Sequence, residues 1–264
     1  MRDPDEGLTA EGMIKTGVKR NNVPVLFEPI VHEVTESVKT LQGRLSLSPV
    51  SLYLYGSVAV GTAVSPWSDV DFLTVGIPAD LAKDIASDIS SQFSSICRGV
   101  EIAPAHYTDF QTESDESYGG RVFLRHYCVH LYGQNLVSAE QSFPGDVKAA
   151  RGFNGDIKIF YDRWCSQKSQ TDPSQLGKRI ARKTLLAVAG LVSMHDHIWT
   201  TDRQSSALRW AELNPKWQAD LKKLSALSED TKETSILEID DILSPEGVVH
   251  SVVKDFENNI GLWR

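Results

Sequence analysis

Residues 50–75, VSLYLYGSVAVGTAVSPWSDVDFLTV, contain two apolar runs of strand character, each joined to residues that a strand does not recruit for packing. The first run ends on Gly56-Ser57, and the second carries Asp69-Val70-Asp71. Alternate residues of a strand share a face, so Asp69 and Asp71 present their carboxylates side by side while Val70 and Phe72 point into a core. Adjacent carboxylates repel each other unless a cation lies between them. Mg²⁺ suits such a place, because it takes a few carboxylates and completes its shell with substrate phosphates. A Gly-Ser turn can bring backbone N–H groups and a hydroxyl up to a phosphate. The alternative is a hairpin with a solvated acidic strand. It would leave two aspartates unexplained within a run of Val, Phe, Leu, Thr and Val, where Asp is disfavoured.

A chain of 264 residues with 41% apolar and 23% charged residues has the composition of a globular protein and the length to bury a core. No apolar run reaches membrane-spanning length. The stretch MRDPDEGLTAEGM is acidic and polar, and reads as neither signal nor transit peptide. Cys97, Cys128 and Cys165 lack metal-ligand spacing and read as reduced thiols of a cytoplasmic protein. The formal net charge of −8 argues against a nucleic-acid partner and against template-dependent polymerisation, and would attract a cationic small substrate.

Periodicity divides the chain into an α/β (α+β) portion with a small mixed sheet followed by an all-α portion. Residues 1–22 are expected to be a flexible leader, 23–145 the sheet domain and 146–264 a helical C-terminal domain. Phe27 to Leu41 has helical spacing and is expected to stop near Gly43. Ser51–Tyr55 and the Asp-Val-Asp run are strands, a helix opens at Pro78 and Asp80, and residues 99–103 form a third strand. Residues 104–120 are expected as a loop closing on Gly119-Gly120, with a further apolar stretch over 125–132. Helices follow over 156–166, 176–194, 203–213, 216–227 and 245–260.

A third carboxylate is expected, either to complete a metal site or to accept a proton from an attacking hydroxyl. Glu101, in the short apolar strand Val100-Glu101-Ile102, is the candidate for both roles. Arg179, Arg182 and Lys183 share a helix face and can close over a triphosphate, or can be an ordinary solvated face. The acidic stretch from Asp109 to Glu116 can receive a cationic ligand, or can be a solvated loop. Trp67 can stack on a base or sugar, or cap the core.

Tyr55-Gly56-Ser57 followed by Asp69-Val70-Asp71-Phe72 resembles the signature of the minimal nucleotidyltransferases, the DNA polymerase β-like superfamily. The run through VEIAPA, together with GKRIARKTLLAVAGLVSM and TTDRQSSALRWAELNPKW, is similar to the streptomycin/spectinomycin (aminoglycoside) adenylyltransferases. The likeness is specific over 52–103, looser over 176–218 and almost absent over 104–175. It implies a nucleotidyltransferase domain with a helical partner, ATP as nucleotide donor, two Mg²⁺ ions at Asp69 and Asp71, and Glu101 as base. It further implies transfer of AMP to a small-molecule hydroxyl, as in antibiotic resistance. The family's triphosphate-binding Lys has no identical counterpart here, and Arg203 lies one position away. The expected nucleotide-binding set is therefore Gly56, Ser57, Arg182, Lys183 and Arg203. Two other readings are a nucleotidyltransferase acting on a protein or tRNA end, and a catalytically silent nucleotide-binding relative.

Overall fold

Strand β1 (Ser51–Tyr55) is apolar on both sides because both of its faces are covered: Leu52, Tyr53 and Leu54 are all buried. The computed structural model describes residues 6–45, 49–229 and 233–263. In it, β1 lies between β2 (Val70–Val75) and β4 (Val129–Gly133), antiparallel to both. Strand β3 (Val100–Ala105) adds on parallel to β2, so the sheet order is β3-β2-β1-β4. The register places Asp71 opposite Tyr55 on one side and opposite Glu101 on the other.

One face of the sheet packs on helix α1 (Glu28–Leu45) and helix α3 (Ala79–Gln92). Leu52, Leu54, Val70, Phe72 and Ile102 meet Ile30, Val34, Val38 and Ile89 there. Val70 and Phe72 are buried as their alternation requires. Gly43 lies inside α1, not at its end. The opposite face turns Tyr53 and Val75 towards the helices that follow.

Helix α7 (Pro173–His195) is the axis of the helical part. Asp172 caps it, accepting from the backbone N–H of Gln175 at 2.9 Å, and Pro173 occupies its first turn. Its stripe of Ile180, Leu185, Val188 and Leu191 is buried by helices on several sides. These include α5 (Val147–Asn154), α6 (Ile157–Gln167), α8 (Arg203–Leu213), α9 (Gln218–Leu227) and α11 (Val248–Asn259). A short helix, α10 (Ile236–Leu243), starts at a capping box made by Ser235 and Glu238. None of the described helices is long and apolar enough to cross a membrane.

Three segments differ from the sequence reading. The expected loop over 104–120 contains the start of helix α4 (Asp115–Tyr127), which is capped by Ser114 and runs straight through Gly119-Gly120. The glycines signal a crossing and not a break: a Cβ on Gly119 would overlap the carbonyl of Gly152 in α5. Gly119→Val is therefore expected to destabilise the protein by about 3 kcal/mol through overpacking, read as a lower urea midpoint with little change in slope. Helices α5 and α10 are each about two turns long and escaped periodicity analysis for that reason.

Residues 6–22, expected as a flexible leader, are packed instead; residues 1–5 of that segment lie outside the described residues. Ile14 and Val18 are buried, and the Glu6 carboxylate accepts from Thr200 Oγ1 at 3.0 Å and Thr201 Oγ1 at 2.6 Å. Tyr127 donates its hydroxyl to the same carboxylate at 3.3 Å. This segment thus ties α4 to the loop that leads into α8. The α4–α5 crossing and the shared core also run across the expected boundary at 145/146.

Candidate functional site

Asp69 stands at the entry to β2, and Asp71 and Glu101 are register partners on β2 and β3. Strand pairing therefore brings three carboxylates separated in sequence to one end of the sheet. The Gly56-Ser57 pair after β1 forms the first turn of helix α2 (Gly56–Val60) and not an open loop, with Val58 and Ala59 buried beneath it. Gly56 has φ +74°, and a Cβ there would overlap Asp71 Oδ2. Glycine is needed here both for the backbone conformation and for the space.

Asp69 is held by Arg98, whose Nε donates to Oδ1 at 2.9 Å while a second guanidinium nitrogen donates to Oδ2. The sequence reading missed Arg98. Its place is set by the approach of β3 to β2, where the Arg98 N–H donates to the Ser68 carbonyl at 3.1 Å. The one clue in the chain was a cation just before a strand that carries an acid.

Among the described residues, Asp71 has no such neutralising partner in contact. Burial, then the charges of Glu101 and Asp69, push its carboxyl up to about 7. Desolvation leads and the negative potential of the two neighbours adds to it, a potential that a divalent cation would relieve. Carboxylate oxygens are the donor type Mg²⁺ takes. Among the described residues, however, no three His, Cys, Asp or Glu side chains converge as ligands of one ion. The expected set of Asp69, Asp71 and Glu101 is thus not a ready-made cage. It fits an ion whose shell is completed by phosphate oxygens.

The elevated Asp71 pKa has a stability consequence with a definite sign. Above pH 3.8 the unfolded chain releases this proton, while the folded protein keeps it until about pH 7. Without metal, the folded state is therefore stabilised at low pH, and this contribution declines between about pH 4 and pH 7. The rise from 3.8 to about 7 corresponds to as much as about 4 kcal/mol. In EDTA, Asp71→Asn should lose this component of the pH dependence of thermal unfolding, and Mg²⁺ should stabilise the wild type more at pH 8 than at pH 5. Equal pH profiles for the two proteins would contradict this.

The opposite wall comes from the helical part. Gln175, Lys178, Arg179 and Arg182 of α7 and Arg203 at the start of α8 face the acids across a cavity of about 580 Å³. Gly56, Ser57, Asp69, Asp71, Arg98 and Glu101 line the same cavity, and Trp67 stands at it with 73% of its surface exposed. Arg182 donates from Nε to the Ser228 carbonyl at 3.1 Å. Arg203 is half-buried, and burial, then the charge of Arg182, lower its pKa.

Lys183 does not join this wall. Its Nζ lies 2.6 Å from Asp156 Oδ1 and 5.1 Å from the centre of the Phe160 ring, on the side of α7 turned towards α6. Successive helix residues point about a hundred degrees apart, which turns Lys183 away from the acids, and burial lowers its pKa. The acidic stretch 109–116 also stays out of the cavity. Asp109 caps a short turn, accepting from His106 N–H at 2.8 Å, and Asp115 pairs with Arg151 at 2.9 Å.

No family model and no curated protein matches this chain. Among solved structures, it is similar to spectinomycin adenyltransferase AAD(9) from Enterococcus faecialis with ATP and spectinomycin. The identity is 14% over 87% of this chain and 98% of that one, with a TM-score of 0.46. It is also similar to a toxin-antitoxin structure with AMP-PNP, at 14% identity over 51% of this chain and 92% of that one, with a TM-score of 0.25.

Proposed function

We propose that this protein is a Mg²⁺-dependent nucleotidyltransferase that moves AMP from ATP onto the hydroxyl of a small molecule. One observation carries the reading: a wall of carboxylates from the sheet faces a wall of guanidinium groups from the helical part across a single cavity. Acids that gather a metal and bases that gather phosphates are the two requirements of phosphoryl-transfer chemistry.

In this reading the β- and γ-phosphates lie against Ser57 and the Gly56 backbone, where no Cβ intervenes, and Arg182 and Arg203 neutralise them from the other side. Asp69 and Asp71 would hold Mg²⁺, which when bound supplies charge neutralisation at the α-phosphate and the departing pyrophosphate. Glu101, exposed beside Asp71, takes the proton of the acceptor hydroxyl. The acceptor oxygen bonds to the α-phosphorus in line with the breaking bond, and pyrophosphate leaves. Positioning and electrostatics provide most of the acceleration. Arg98 holds Asp69 in place, and a bound metal would share that carboxylate with it.

The test is α-labelled ATP with Mg²⁺, first with a panel of hydroxylated small molecules and then with a cell extract. Label on a small molecule supports the proposal. Label on protein or RNA moves the acceptor to a macromolecule, and no pyrophosphate release under either condition overturns it. The resemblance to the drug adenylyltransferases makes an aminoglycoside one candidate acceptor, and the charge of the cavity bears directly on that class.

A further inference from the structure

Arg203 reaches the cavity from a segment that has no regular structure of its own. Residues 198–202, between α7 and the start of α8, form neither helix nor strand. Backbone N–H groups in such a segment need partners from elsewhere. Two of them stay within the end of α7: Ile198 donates to the Ser193 carbonyl at 3.0 Å and Thr200 to Ser193 Oγ at 3.0 Å. The Asp202 N–H goes to Thr200 Oγ1 at 3.0 Å. The Thr201 N–H leaves the α7–α8 pair and donates to the carboxylate of Glu6.

We infer that Glu6 is a positioning residue of the nucleotide site: by fixing Thr200 and Thr201 it sets where α8 begins and so where Arg203 enters the cavity. This rests on the nucleotidyl-transfer reading, in which Arg203 meets the triphosphate. Glu6 accepts from Thr201 through both the N–H and Oγ1, the latter at 2.6 Å, and from Thr200 Oγ1 at 3.0 Å. Thr200 Oγ1 in turn accepts from Asp202, which caps α8 by accepting from the Ser205 N–H at 2.7 Å. Hydrogen bonds thus run without a gap from Glu6 to the first turn of α8, whose first residue is Arg203.

The other side of the same carboxylate is anchored on α4. Tyr127 donates to it at 3.3 Å, and the Tyr127 hydroxyl accepts from Trp199 Nε1 at 2.7 Å. Glu6 is buried, and the groups that act on it are hydroxyls and one backbone N–H, with no cation among them; burial raises its pKa. A buried carboxylate satisfied in this way is costly, and an apolar side chain would hold the segment against α4 at less expense. What the carboxylate adds is geometry, because its two oxygens accept from consecutive residues at once. The charges that act on Arg203 are those of Arg182 and Asp202, not that of Glu6. The influence of Glu6 therefore passes through the backbone of the turn.

The experiment is a double-mutant cycle in the full-length protein, with the Kd of a non-hydrolysable ATP analogue in Mg²⁺ read by calorimetry. Arg203→Met is expected to weaken binding at least about tenfold, and Glu6→Ala about five- to tenfold. In the Arg203→Met background, Glu6→Ala should weaken binding less than about twofold, because the side chain it positions is gone. Glu6→Gln keeps an oxygen for Thr201 and should bind within about twofold of wild type. Thr201→Val removes one donor, keeps the shape and should weaken binding in the same Arg203-dependent way, which serves if Glu6→Ala does not fold. Without nucleotide, the amides of Thr201, Ser205 and Ser206 should exchange faster in Glu6→Ala and at the wild-type rate in Glu6→Gln. Four results would each overturn the inference while leaving nucleotide binding intact: unchanged affinity in Glu6→Ala, an equal loss in both backgrounds, no effect of Arg203→Met, or unchanged exchange at the start of α8. No analogue binding by the wild type would overturn the nucleotidyl-transfer reading, and the inference with it.

Discussion

Asp71→Asn is expected to lower the proposed nucleotidyl transfer at least about a thousandfold while the protein stays folded. The size follows from removing a charge that faces the developing negative charge of the transition state, where a single donor or ligand is worth about a hundred- to a thousandfold and a metal ligand more. Retention of the fold follows from the same electrostatics. Asp71 is crowded by Glu101 and Asp69, and burial resists its ionisation, so an amide of equal shape relieves the metal-free protein at neutral pH. Turnover should collapse while the thermal midpoint at pH 8 in EDTA holds or rises. A variant with near-normal turnover would remove Asp71 from the chemistry. One that lost activity only by unfolding would show that the carboxylate is structural.

Glu101→Gln is the second large effect. If Glu101 accepts the hydroxyl proton, an isosteric amide should lower kcat about a hundred- to ten-thousandfold. It should leave the affinity for ATP within a few-fold, because the proposed nucleotide contacts, Ser57, Arg182 and Arg203, line the cavity from other elements. The split between kcat and nucleotide binding separates a proton acceptor from a metal ligand, whose loss would weaken both together. Glu101 is exposed near the start of β3, so the amide places no new group in the core.

These two expectations could be framed from residues 50–103 alone, and the reason is local. The alternation of Val70 and Phe72 with Asp69 and Asp71 obliges the acids to a common face, and the apolar flanks of Glu101 mark a neighbouring strand. Gly56 reads as a close-approach glycine, and the structure gives the atom that requires it, Asp71 Oδ2. Long amphipathic helices such as α7 were equally readable, because many turns repeat the same signal.

Where the sequence misled, the deciding interaction lay elsewhere in the chain. Gly119-Gly120 resembles a loop in isolation, yet it is a helix interior because Gly152 must approach it closely. The segment 6–22 has no periodicity of its own and is ordered by what it touches, from Thr200 and Thr201 to the core around Ile14. Lys183 sits next to Arg182 in sequence, but successive residues on a helix point about a hundred degrees apart, and Asp156 settled its direction.

By itself the sequence determined which residue types are offered for the proposed chemistry, because hydrophobic alternation and a glycine at a strand end are local signals. Only the tertiary structure decided which charges meet. It set Arg98 on Asp69, gathered Arg179, Arg182 and Arg203 across from the acids, and left the acidic stretch 109–116 outside the cavity. Coulomb interactions depend on distance through space, and spacing along a chain does not report that distance until the helices have packed.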